Sequence, residues 1–277
     1  MTAVAEHRDI GERAPPDLRR PWTASRVAGW LMLLSWGVAT VGLIWFLYSE
    51  WNIDKVERYG PKFISGLWVT IELVGISLII GAILSLPVAL GRMSRNPLFS
   101  RLAFAYVYVF RGTPLLAQLF LIYYGLGSFS DQLKAVGLWF FFRDAWNCAL
   151  FAFVLNTAAY QAEILRGAIE SVPRGQWEGA GALGLNRIQT FWKIILPQAL
   201  VVALRPYGNE IVLMLKGSAI VALVTVYDLM GETRRAFSRT YDFQAYIWAA
   251  VFYFVLVQTL QNIWNRIEVV LTRHLKR

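Results

Sequence analysis

Charged side chains lie inside runs that are otherwise fit for lipid, among them Glu72 in WVTIEL, Arg111 in FRGTPLL, Glu163 in YQAEIL and Glu210 in GNEIVL. On insertion scales a charge at membrane depth costs roughly 2.5–3.5 kcal/mol, so each needs a partner or a task. Their chemistry is electrostatic: an intramembrane carboxylate holds a cation or bonds within a helix bundle. Covalent and metal chemistry have little to work with. The chain has one cysteine, Cys148, and two histidines, His7 and His274, both near the termini, too few for a His and Cys zinc site. No Gly-x-x-x-x-Gly-Lys-Ser/Thr phosphate loop occurs, so if ATP drives this protein another chain binds it.

The polar residues are patterned. Asn156, Tyr160, Glu163, Gly167 and Glu170 follow 4-3-4-3 spacing and form one helical stripe that should face protein or water. Its plain reading is helix packing, with Glu163 paired to an arginine near the cytoplasmic end; gating is the other. Gly112, Thr113 and Pro114 can break a helix and free backbone carbonyls, with Leu115, Leu116 and Gln118 just beyond. Arg111 lies about 14 Å into its span, unless residues 98–110 first run along the interface. Asn209 and Glu210 come near mid-depth of the next-to-last span, with Leu213 one turn on. Lys216-Gly217-Ser218 is a candidate hinge, because glycine permits unusual backbone angles. Glu72 reads as a core hydrogen-bonding acid or as part of a pathway, and Gly75, Gly81 and Ser85 as helix-packing positions. Gln258, Gln261 and Asn265 make a further polar stripe, suited to an interface between subunits.

Six apolar runs must carry these groups: 27–48, 63–91, 102–126, 148–170, 194–216 and 243–265. Each approaches or exceeds the roughly 20 residues that cross a hydrocarbon core. Mean hydropathy is +0.46 and only 16% of residues are charged. The predicted class is an all-α integral membrane protein. Sixteen lysines and arginines fall in the N-terminal arm, in alternate loops and in the tail, against eight in the intervening loops. By the positive-inside rule both termini are then cytoplasmic, as six spans require. The same bias explains the net charge of +9 without invoking nucleic acid. Residues 1–26 read as a polar cytoplasmic arm, and 27–48 as an extra span, in the simplest reading an anchor.

Between the fourth and fifth runs lies EGAGALGLNRIQTFWKIILP, residues 178–197. Residues 176–184 suit a short cytoplasmic helix whose small side chains let another backbone approach closely. Gly184 and Asn186 can end it, and Pro197 falls in the first turns of the next span. The stretch resembles the Glu-Ala-Ala, three residues, Gly, nine residues, Ile-x-Leu-Pro loop of bacterial ABC importer permeases. Glu178, Gly179, Ala180, Gly184, Ile194, Leu196 and Pro197 carry it here, with Gly179 where alanine is usual. FRGTPLLAQLFLIYYGL (110–126), NTAAYQAEILRGAIESVPRGQWEGA (156–180) and ALRPYGNEIVLMLKGSAI (203–220) extend the resemblance over about 63–275. They are similar to polar amino-acid permeases, above all the M-type subunits of the histidine/lysine-arginine-ornithine and octopine/nopaline systems.

The resemblance implies a type I ABC importer permease of MetI-like fold in a bacterial inner membrane, with a permease domain over 63–275. It implies coupling to an ATPase subunit through the loop 172–193, by Glu178, Gly179, Ala180, Ala182, Gly184, Leu196 and Pro197. It implies a pathway lined by Leu115, Leu116, Gln118, Asn209, Glu210 and Leu213, with Gly112, Pro114 and Gly217 as gating or hinge positions. Glu210 then meets a cargo ammonium group, or else pairs with Arg205 or Lys216 in the bundle. The position of Gly217 often carries an acid in the family, so the cargo site can lie in a partner permease. Implied partners are two ATP-binding subunits that hold ATP and magnesium, a second and different permease, a periplasmic solute-binding protein and membrane lipid. The chain itself needs no metal or cofactor and is no enzyme. The rival reading is an ion-gradient-driven transporter or channel subunit.

Overall fold

The computed structural model describes residues 23–49 and 51–273. The chain divides into two compact units, Met1–Asn52 and Ile53–Arg277. In the first, α1 (Ala24–Ser49) is a 26-residue helix with no buried side chain. It is about 39 Å long and apolar on every face, as suits a single crossing of lipid. Most of the predicted arm lies outside the described residues.

The second unit begins with α2 (Ile53–Arg92), then α3 (Pro97–Gly112) and α4 (Leu115–Phe120), which runs on through a π-turn at Leu121–Gly125. The short helices α5 (Ser130–Ala135) and α6 (Trp139–Phe142) lead to α7 (Ala145–Glu170). Then come α8 (Arg174–Ala182), α9 (Arg187–Thr190), a π-turn at Phe191–Ile195, and α10 (Leu196–Gly217), which tightens into a 3-10 turn at Ser218–Val224. The unit ends with α11 (Leu229–Thr240) and α12 (Gln244–Thr272), and no strand occurs among the described residues.

Among the described residues, five helices are long and apolar enough to cross a membrane, six if the bent pair α3–α4 counts as one span. The six predicted spans are therefore present, with two changes. The second starts ten residues earlier, at Ile53. The third is not straight: α3 and α4 meet at 105°.

Helix α7 is the axis of the unit. Its buried face, from Cys148 through Ala152, Phe153, Ala159 and Ala162 to Ile169, is mostly small residues. These let α2, α3, α4 and α10 approach it closely. Phe153 packs with Leu73, Leu119, Met214 and Val221 in one apolar cluster. Leu165 and Ile169 pack with Ala89, Ile195 and Ala199 in a second. Buried positions on α2 follow Gly66, Thr70, Leu73, Ser77, Gly81, Ser85 and Ala89, a run of three- and four-residue steps down one face. Gly75 lies off it, with nothing within 4 Å of where a Cβ would sit, so only Gly81 and Ser85 of the expected packing positions serve.

Candidate functional site

The break after Gly112 is local chemistry. Pro114 disfavours the helical region for the residue before it, and Thr113 is extended at φ −116°, ψ 147°. The carbonyls this frees are caught from the side. Gln118 Nε2 donates to Phe110 O at 2.8 Å, to Thr113 O at 3.1 Å and to Thr113 Oγ1 at 2.8 Å. Asn156 Nδ2, on α7, donates to Phe110 O at 3.1 Å and to Gln118 Oε1 at 3.0 Å. Gln118, expected to line a pathway, is buried and spends its amide on the bend. Gly112 and Pro114, expected at a gate, flank the corner itself.

The mid-depth pair of α10 separates. Glu210 is 5% exposed and accepts a 3.0 Å hydrogen bond from Thr157 Oγ1. Gln161 Nε2 donates to that same hydroxyl at 3.0 Å and to Leu78 O at 3.2 Å, tying α2, α7 and α10 together. The expected pairing of Glu210 with Arg205 or Lys216 does not occur. Five and six residues along a helix of 3.6 residues per turn point well away from Glu210. Arg205 instead meets Glu268 of α12 at 3.0 Å.

Asn209, one residue round the helix, is exposed, and so is Leu213 at the same face. Asn209 lines a cavity of about 270 Å³ together with Gln261 and Asn265 of α12. Two of the three residues of the expected polar stripe, Gln261 and Asn265, thus face the open side of α10, while Gln258 lies outside the cavity and bonds to Asn262. Gly208 makes the crossing possible: a Cβ there would stand 2.3 Å from Trp264 Cδ1, and the indole N–H donates to Leu204 O at 2.8 Å. Leu115 and Leu116 are half-buried. Leu115 Cδ2 lies 3.8 Å from where a Gly217 Cβ would be. Gly217 has φ −68° and ψ −22°, so the expected unusual backbone is absent. A Cβ there would make only an ordinary contact with Leu115, so space does not require glycine either.

Toward the C-terminal end of α7, Glu163 takes Arg92 Nε at 3.0 Å, Arg166 Nε at 3.0 Å and Arg111 Nη1 at 3.8 Å. The Arg111 guanidinium also lies over the Tyr160 ring, 5.1 Å from its centroid. The predicted α7 stripe therefore faces protein from Asn156 to Glu163, where α3 ends on it, while Gly167 and Glu170 are exposed. Arg111 sits at the end of α3, after the helix that leads in from Pro97. Glu72 is a correction: it is exposed and makes no hydrogen bond or ion pair among the described residues.

Between α7 and α10 the exposed loop helix α8 spans Arg174–Ala182, two residues earlier than expected at each end. Ala180 packs inward at 2% exposure, while Glu178, Gly179 and Ala182 are exposed. The N–H of Leu185 donates to Ala180 O at 3.1 Å and that of Gly184 to Gly181 O at 3.0 Å, the Schellman ending. Gly184 supplies the left-handed residue at φ 76°. Asn186 does not help to end α8. It caps α9 in a reciprocal capping box with Gln189. Pro197 follows the π-turn, where the wider coil accommodates its missing N–H and its clash with the carbonyl four residues back. Leu196 is buried and Pro197 exposed. Around α8 stand bare apolar groups: Leu183 is 80% and Ile188 72% exposed.

One set escaped the sequence reading. Asp228, fully buried, caps α11 through Gly231 N at 2.8 Å and accepts from Tyr253 Oη at 3.2 Å. Thr70 Oγ1 accepts from Leu229 N at 3.1 Å. Burial pushes the Asp228 carboxyl up to about 6, against the hydrogen bonds from Gly231 and Tyr253. The signal was available: Asp before a short amphipathic run is a helix start.

Residues 66–269 match the family described as binding-protein-dependent transport system inner membrane component. The chain belongs to this family. It is an ABC-type permease with several membrane-spanning helices, which sets aside the ion-gradient reading. The nopaline transport system permease protein NocM of Agrobacterium fabrum is 41% identical over 81% of this permease and 94% of its own length. The arginine ABC transporter permease protein ArtM of Haemophilus influenzae is 40% identical, covering 67% and 81% respectively. Among solved structures, an amino acid ABC transporter crystallised with histidines aligns with a TM-score of 0.68 and 36% identity, covering 79% of this permease and 98% of that chain. The MetNI methionine transporter, 22% identical with a TM-score of 0.63 over 76% of this chain and 96% of its own, shares the MetI-like fold.

Proposed function

We propose that this permease forms half of the membrane path of an ATP-driven importer for polar, basic amino acids or related opines. The observation that carries the reading is α8: a small-residue helix, closed at Gly184 and ringed by exposed Leu183 and Ile188. The charge bias supports a cytoplasmic position for it and for both termini. In this reading Glu178, Gly179, Ala182 and Gly184 meet an ATP-binding subunit, and Ala180, Leu196 and Pro197 anchor the helix to α10. Two such subunits hold ATP and magnesium and carry out hydrolysis, while this chain binds no cofactor. A second permease of a different sequence pairs with the open face of α10 and α12. A periplasmic binding protein delivers cargo from the other side.

The names of the nopaline, arginine and octopine relatives support the cargo class. The open residues Asn209 and Leu213 are the candidate lining of the path, with Leu115 and Leu116 beside them. Glu210 lies one layer behind them, bonded to Thr157. Gly112, Pro114 and Gly217 mark where the path bends. The test is co-purification with the ATPase subunits, then binding-protein-stimulated hydrolysis against a panel of amino acids. Stimulation by basic amino acids supports the reading. Uptake that continues with ATP depleted and membrane potential kept would overturn it.

A further inference from the structure

The ion pair between Arg205 and Glu268 leaves one edge open on each partner. Arg205 Nε and Nη2 donate to Glu268 Oε1 at 3.2 Å and 3.0 Å, which spends the side edge of the guanidinium on one carboxylate oxygen. Arg205 Nη1 and Glu268 Oε2 make no hydrogen bond among the described residues, and the Arg205 side chain is 80% exposed. Both residues line the cavity of about 270 Å³ between α10 and α12, together with Asn209, Gln261 and Asn265. None of these three amides has a side-chain hydrogen bond among the described residues. The convergence follows from helix spacing: Arg205, Asn209 and Val212 share one face of α10, and Gln261, Asn265 and Glu268 one face of α12, by steps of three and four residues. Trp264, seated against Gly208, walls the cavity between them.

Five polar side chains with unused hydrogen-bonding capacity therefore open on one space the size of a small molecule, just below the range of drug-sized sites. An acyl chain would satisfy none of them. A lone anion would meet Glu268 as well as Arg205, and a lone cation the reverse. A zwitterion suits both, lying beside the existing pair in the opposite order. We propose that the cavity is a binding site for a zwitterion with a primary ammonium group, its anionic end on the free Nη1–Nη2 edge of Arg205 and its ammonium on Glu268 Oε2. That edge is the planar fork that takes a carboxylate or phosphate through two parallel N–H donors.

Two molecules carry this chemistry: a free α-amino acid and the headgroup of phosphatidylethanolamine. The three open amides suit a polar side chain and favour the amino acid. The site extends the proposed path, with which it shares Asn209, toward the C-terminal end of α12. It rests on that reading only for the side from which the ligand enters, the cytoplasm in the orientation given above. Glu210 takes no part, since it is turned to Thr157 on α7.

The experiment uses the purified full complex in detergent, without nucleotide, binding protein or phosphatidylethanolamine. Binding of tritiated arginine is measured by scintillation proximity, in competition with agmatine, which lacks the carboxylate, and with the deaminated guanidino acid, which lacks the ammonium group. Saturable binding is expected, with each analogue competing at least about tenfold less well than arginine, the loss of one charge-assisted contact. Arg205→Gln and Glu268→Gln should each weaken binding by about tenfold or more. Arg205→Glu combined with Glu268→Arg should recover part of it, because a zwitterion can turn round. Arg239→Gln, on α11, should leave binding unchanged. In a second arm, nanodiscs carry a photoactivatable phosphatidylethanolamine. Labelling of the peptide that contains 260–268, lost in Glu268→Gln, with no arginine bound in detergent, would support the site and assign it to the headgroup.

Equal competition by arginine and agmatine would show a cation site and overturn the proposal. So would the absence of both arginine binding and lipid labelling. Arginine bound with the same affinity by both single variants would place the ligand elsewhere and overturn this site, while leaving the transport reading intact. A fall in Tm of the variants with unaltered arginine binding would reduce the pair to a brace between α10 and α12.

Discussion

Asn156 and Gln118 hold the corner of the broken helix from both sides, the Asn156 amide donating to Gln118 Oε1 at 3.0 Å and both amides reaching Phe110 O. A buried carbonyl left without a donor costs about 1–3 kcal/mol. Gln118→Leu should therefore lower the stability of the detergent-purified permease by that amount, read as a fall in Tm. Asn156→Leu should do the same, and the double variant should cost less than the sum because the two share a network. Additive losses would show that the amides act separately.

Gly184 sits at φ 76°, where a Cβ costs roughly 1–2 kcal/mol. Gly184→Ala should loosen the end of α8 and reduce binding-protein-stimulated ATP hydrolysis, with membrane insertion intact. Gly184→Asn should be milder, since Asn tolerates left-handed angles. Equal activity of all three forms would mean that the closed end is not used.

Gly208→Ala tests the crossing of α10 and α12. The new methyl meets the Trp264 ring at 2.3 Å, so the ring must swing out and give up its bond to Leu204 O. The expected cost is about 1–3 kcal/mol, visible in Tm and in tryptophan emission. Gly208→Ala combined with Trp264→Phe should recover part of it.

Asp228 gives the pH dependence. Its carboxyl is raised from 3.8 to about 6, first by burial, so the folded state holds the proton more tightly than the unfolded state. That stabilisation is complete below about pH 4 and is lost as the pH rises through about 6. Asp228→Asn keeps a capping oxygen and removes the titration. The variant should show a flatter Tm between pH 4 and 6.5, by roughly 2–3 kcal/mol, with its relative gain at neutral pH. A variant whose profile parallels the parent would mean that other groups set the slope.

Elements governed by neighbouring residues were legible in the sequence. The apolar runs, the break at Pro114 and the glycine ending at Gly184 follow from local chemistry, although the second helix starts ten residues before its apolar run and the last continues to Thr272, seven beyond its own. What depth alone could not give was direction. Glu72 looked like a core acid by its distance into the span. The small-residue face of α2 runs through Thr70, Leu73 and Ser77 and leaves Glu72 outside. Asn186 was assigned to the wrong helix because Asn suits both an ending and a beginning, and only Gln189 three residues on decides. The partner of Glu210 is on another helix, Thr157, and no spacing within one segment points to it.

The double closure at α8 and α9 has a mechanical result. Only residues 183–186 separate the two helices, and each of their turns is tied, by the glycine ending on one side and the capping box on the other. From Arg187 the coil continues without interruption to Val224. Such a linkage behaves as a crank rather than a tether: a tilt imposed on the short arm has no slack in which to dissipate, and reappears as rotation of the long one.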